Sequence, residues 1–93
     1  MKTEKTKGLR PLKPRPLHQI ASEIALDWTT PWFGAVPYLR AMATLTSIND
    51  SYGLDSAKSI VAYFLSNATT WRGETARRVK KELNAILKEV QSR

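Results

Sequence analysis

Residues 73–90 read GETARRVKKELNAILKEV. Ala76, Val79, Leu83, Ile86, Leu87 and Val90 fall largely at steps of three and four, the period of an amphipathic α-helix. At 100° per residue the remaining side chains divide into two faces. One holds Glu74, Arg78, Glu82 and Glu89, with Glu74–Arg78 and Arg78–Glu82 as i,i+4 pairs. The other holds Arg77, Lys80, Lys81, Asn84, Lys88 and Gln91, with no acid among them. Arg77, Lys81, Asn84 and Lys88 follow one another at steps of four, three and four, a row about 16 Å long at 1.5 Å per residue. Such a row suits neutralisation of phosphates. Arg77 and Asn84 are also residue types that read a base edge, Arg that of guanine and Asn that of adenine. The ordinary alternative is that a surface helix needs a solvated face and Lys fills it. Positions 79, 83, 86 and 90 also have coiled-coil spacing. Two heptads are too few for a stand-alone zipper, but a homodimer through this last helix is one expectation.

Working back along the chain, Asn67, Thr69 and Thr70 punctuate a break, and Trp71-Arg72 stands beside the start of the last helix. A helix is expected over 56–67, with Ala57, Ile60, Val61, Phe64 and Leu65 as its stripe and Asp55 or Ser56 as its cap. Asn49-Asp50-Ser51-Tyr52-Gly53 is dense in turn formers. Another helix is expected over 37–47, opened by Pro37, charged only at Arg40 and therefore central. Trp32-Phe33-Gly34 reads as an apolar corner, one helical turn at most. The first helix starts near Pro16 and carries Leu17, Ile20, Ile24 and Trp28, until Thr29-Thr30-Pro31 ends it. There is no strand-like alternation of useful length, no repeat and no βαβ pattern. The expected fold is all-α: a compact bundle of about four short helices over 17–93, with an extended, basic, Pro-containing arm over 1–16. Large aromatics are mostly buried, so Trp28, Trp32, Phe33 and Trp71 are expected to plug the core between helix ends. The alternative is stacking on unpaired bases or anchoring a protein partner, for which Trp71, next to Arg72, is the candidate exposed aromatic anchor.

Charge is unevenly placed. Lys2, Lys5, Lys7, Arg10, Lys13 and Arg15 face only Glu4 in the first 16 residues, a net +5 of the chain's formal +7. Pro11, Pro14 and Pro16 keep the end of this segment extended. Leu9, Leu12 and Leu17 would let it lie against the body. A basic chain favours nucleic acid, anionic lipid or an acidic protein face, although charge also serves solubility. No cysteine is present, which suits a reducing cytoplasm. No apolar run approaches the roughly 18 residues of a membrane span, and the N-terminus lacks the apolar stretch of a signal peptide. A soluble cytoplasmic protein is expected, with no membrane partner.

The residues of catalysis are sparse. His18 is the only histidine, and no cluster of His, Cys and acids suggests a metal site. Glu23 and Asp27 lie one turn apart, a spacing far commoner on a polar face than around a cation. Residues 49–53 resemble the start of a calcium loop but lack its terminal bidentate acid. There is no glycine-rich phosphate loop and no nucleophile with a base partner. No enzyme and no cofactor are expected. Pro11-Leu12-Lys13-Pro14 is a PxxP unit whose flanking basic residues are poorly placed for SH3 ligands. The connection over 67–72 is near the length of a helix-turn-helix turn, a loose fit that would make the last helix the reading helix.

Tyr52-Gly53-Leu54-Asp55-Ser56, Tyr63-Phe64-Leu65 and residues 67–78, NATTWRGETARR, together resemble small proteins of actinobacteria and their bacteriophages. The resemblance covers roughly residues 20–88 and leaves out the arm. It implies a bacterial cytoplasm, a phage-infected one included, and carries over no activity and no site residue. Small phage proteins often act by binding a host protein. Two expectations follow. The first is a non-enzymatic module contacting nucleic-acid phosphates through Lys2, Lys5, Lys7, Arg10, Lys13 and Arg15 of the arm and through Arg72, Arg77, Lys80, Lys81, Asn84 and Lys88. The second is a protein-interaction module with aromatic anchors and a basic rim, for instance a phage-encoded modulator of a host protein.

Overall fold

Four helices and one small hairpin make up the described chain, which in this computed structural model covers residues 14–91, with side chains through residue 89. In chain order these are α1 (Leu17–Asp27), a 3₁₀ turn (Phe33–Ala35), α2 (Val36–Met42), strands β1 (Ser51–Tyr52) and β2 (Asp55–Ser56), α3 (Ala57–Ser66) and α4 (Glu74–Gln91). Lys2, Lys5, Lys7, Arg10 and Lys13 lie outside the described residues.

Each helix packs on two others: α1 on α2 and α4, and α3 on α2 and α4. The four stripes read from the sequence meet inside this ring. Leu17, Ile20 and Ile24 of α1, Met42 of α2, Ile60, Val61 and Phe64 of α3, and Val79 and Leu83 of α4 are all buried. Among the described residues no helix is long and apolar enough to cross a membrane.

Local chemistry accounts for the ends of α3 and for the hairpin turn. Ser56 caps α3 by accepting from the Ser59 N–H at 3.1 Å, which selects Ser56 over Asp55. Asn67 closes the same helix with a side-chain bond from Nδ2 to the Tyr63 carbonyl at 2.9 Å. The hairpin pairs Ser51 with Ser56 and Tyr52 with Asp55. Gly53 takes φ +63° at the first central position of its turn while Leu54 keeps negative φ, the Gly-X arrangement of a II′ turn. This short hairpin lies where no strand was expected.

The helix expected over 37–47 is a correction. It ends at Met42, and Ala43 and Thr44 form a turn. The reason lies elsewhere in the chain. Pro16 offers α1 no side-chain cap. The Leu17 and His18 N–H groups bond instead to the carbonyls of Thr46 and Leu45, at 2.9 and 2.8 Å. The turn at Ala43 and Thr44 leaves those two carbonyls facing the start of α1. Asp50 then clasps the loop, accepting from the Thr46 and Ser47 N–H groups at 3.0 and 2.9 Å. Those bonds hold its carboxyl below the usual range. Nor is α2 enclosed on most sides: Ala41 and Met42 are buried, Tyr38 and Leu39 half-buried, and Pro37 and Arg40 exposed.

Candidate nucleic-acid interface

The two polar faces of α4 have different fates. Arg78 pairs with Glu23 of α1, not along its own helix. Glu82 takes a two-pronged hydrogen bond from Arg15, from Nε to Oε2 at 2.9 Å and from Nη2 to Oε1 at 2.7 Å. The same Nη2 also reaches Glu23 Oε1 at 2.9 Å. Arg78, Glu23, Arg15 and Glu82 therefore alternate in sign along the α1–α4 seam. Hydrogen bonds from Arg78 and then Arg15 pull the Glu23 carboxyl below its ordinary range. The bond to Glu82 raises Arg15 above its ordinary value. Arg15, read from sequence as an arm cation, is thus corrected to a structural residue. Its charge is spent on two carboxylates.

The opposite face stays open. Arg72, Arg77, Lys81, Asn84 and Lys88 are exposed. Among the described residues, none of the four cations in that set pairs with a carboxylate. Val79 and Leu83, both fully buried, fix the rotation of α4 and so aim Arg77, Lys81 and Lys88 outward. Asn84 donates from Nδ2 to the Lys80 carbonyl at 2.9 Å, an intrahelical bond that must open before the amide reads a base. The same burial bears on the homodimer expectation. Val79, Leu83 and Ile86, three of the four positions at coiled-coil spacing, are buried in this chain's own core.

Lys80 departs from the row. It is half-buried and donates from Nζ to the Trp71 carbonyl at 2.7 Å. The Nζ also lies 5.9 Å from the centre of the Trp71 ring. Burial, and then the nearby Arg72 charge, push its pKa down.

Trp71 belongs to the core, which corrects the alternative reading of it as an exposed anchor. It is 2% exposed, stacked on Trp28 at 5.8 Å and edge-on to Phe64 at 6.4 Å. Its indole N–H donates to Asp27 Oδ2 at 2.8 Å. Trp32 and Phe33 are exposed instead, by 48% and 74%, with ring centres 4.3 Å apart, as are Tyr52 and Tyr63. The available signal was Gly34. A Cβ there would stand 2.5 Å from Trp32 Nε1, so the glycine gives the indole a place to lie over the backbone. Tyr63, half exposed, and Tyr38 form another ring pair at 5.4 Å.

No protein-family model matches this chain, and neither a curated protein nor a solved structure matches it.

Proposed function

We propose that this protein is a non-enzymatic, basic helical module that binds nucleic acid through phosphate contacts. One observation carries the reading: the Arg15–Glu82–Glu23–Arg78 cluster occupies acids on one flank of α4, while Arg77, Lys81 and Lys88 on the other have no carboxylate partner among the described residues. A row of unpaired cations on a rigid helix neutralises successive phosphates and releases their counterions. Arg72 extends the row beyond the helix start. Lys2, Lys5, Lys7, Arg10 and Lys13 supply further contacts from the arm.

The test is salt dependence in the full chain. Affinity for DNA or RNA is expected to fall at least tenfold between about 50 and 200 mM salt. Replacing Arg77, Lys81 and Lys88 by Ala should weaken binding to all sequences and flatten the logarithmic salt slope by roughly 2–3. Substituting Lys2, Lys5, Lys7, Arg10 and Lys13 by Gln should flatten it further. No detectable binding at low salt, or binding indifferent to salt, defeats the reading.

A second reading rests on Trp32 and Phe33, which present a paired aromatic surface. Aromatic anchors of this kind serve protein partners. The likeness to small actinobacterial and phage proteins supports a host protein as that partner. A protein retained from nuclease-treated bacterial lysate by the wild type, and lost with Trp32→Ala or Phe33→Ala, favours it.

A further inference from the structure

A cavity of about 320 Å³ opens beside the start of α4, between the loop carrying Thr69 and the helix. Arg72, Arg77 and Lys80 line it, and no carboxylate does. Its volume stands at the lower end of small-ligand sites, about 300–1,000 Å³. Gly73 leaves one side open: a Cβ there would meet nothing within 4 Å.

Three cations around one concavity repel each other when it is empty. Burial first, and the Arg72 charge second, lower the pKa of Lys80. Lys80 spends one N–H on the Trp71 carbonyl and keeps two donors. Arg72 and Arg77 have no carboxylate partner among the described residues. We infer that this cavity seats a phosphomonoester group, held by Arg72, Arg77 and Lys80 with the Thr69 hydroxyl beside them. A phosphomonoester carries about −1.5 to −2 charge at pH 7 and three strong acceptor oxygens. That matches three cations lining one concavity better than the single charge of a backbone phosphodiester. Lys81 and Lys88, farther along α4, are spaced as a track for a strand leading away from the cavity. The inference deepens the nucleic-acid reading and rests on it only for the source of the group. The end of a strand and a small free phosphoanion share the same chemistry.

The experiment uses the full chain and one single-stranded oligonucleotide in three forms: 5′-phosphorylated, 3′-phosphorylated and unphosphorylated. Inorganic phosphate is titrated alone, with the Gly73 and Lys80 amide signals as readout. At least one end-phosphorylated strand is expected to bind about tenfold tighter than the plain one, equal to about 1.4 kcal/mol. Arg72→Ala, at an exposed position, should reduce that ratio to within about twofold. Lys81→Ala with Lys88→Ala should weaken all three strands alike and keep the ratio. Phosphate-induced shifts at Gly73 that vanish in Arg72→Ala, without any strand preference, uphold the cavity and assign it to a small phosphoanion. Equal binding of the three strands with no shift at Gly73 overturns the inference and leaves the row intact. Absence of both strand binding and phosphate shifts overturns the inference and the nucleic-acid reading together.

Discussion

Trp71 stacks on Trp28, stands edge-on to Phe64 and bonds through its indole N–H to Asp27. One side chain thereby joins the end of α1, the last turn of α3 and the approach to α4. Trp71→Ala should cost about 3–5 kcal/mol, the range for a large aromatic removed from a packed core. Trp71→Phe keeps much of the ring contact and loses the N–H bond, so about 1 kcal/mol beyond any packing loss is expected. Phe33→Ser, at a position 74% exposed, should stay within about 0.5 kcal/mol of the wild type. Urea denaturation of the three variants measures the order. A Phe33 variant that destabilises more than Trp71→Phe would contradict the burial described. The reversal of Trp71 and Trp32-Phe33 relative to the anchor alternative has a physical cause. The partners that bury Trp71 lie far off in the chain: Asp27 is 44 residues away. An aromatic beside an arginine looks alike in sequence whether or not such a partner arrives.

At the scale of elements, helix ends test the local logic. Ser56→Ala should lower stability by about 1 kcal/mol, and Ser56→Asp should recover most of it, since Asp caps equally well. Thermal melts of the two decide. The α1–α4 seam depends on Arg15. Its removal leaves the carboxylates of Glu23 and Glu82 sharing a site without their common cation. Arg15→Ala is expected to cost about 1–2 kcal/mol, more than an exposed pair because the fork is two-pronged and only 28% exposed. A double-mutant cycle with Glu82→Gln measures the coupling. It follows that any shortening of the arm meant to probe partner binding has to stop before Arg15. A cut at Pro16 would loosen the bundle as well as remove charge.

The whole molecule inherits a pH dependence from these contacts. Arg78 and Arg15 depress Glu23, and the Ser47 and Thr46 N–H groups depress Asp50. A carboxylate with a folded pKa below its unfolded value contributes stability that is fully present above the unfolded pKa. That contribution is lost as pH falls through the folded value. The ordinary values of the two carboxyls are 4.5 and 3.8, so the urea midpoint should hold steady near neutrality and drop below about pH 4.5. Glu23→Gln should lie below the wild type at pH 7 and approach it at low pH. A constant gap between the two would refute the assignment. By itself the sequence determined what depends on neighbours three and four residues apart. The helices expected over 73–90 and 56–67 appear as Glu74–Gln91 and Ala57–Ser66, because an apolar stripe and a serine cap are local properties. The outward aim of Arg77, Lys81 and Lys88 was legible for the same reason. Only tertiary structure decided how the chain runs after α2, since the Leu45 and Thr46 carbonyls there bond to the start of α1 some thirty residues earlier. Only tertiary structure moved Arg15 out of the arm and into the α1–α4 seam, and drew Lys80 from the row toward Trp71. Charge is countable along a chain, but whether it is spent depends on which opposite charge or carbonyl the packing brings within hydrogen-bond distance.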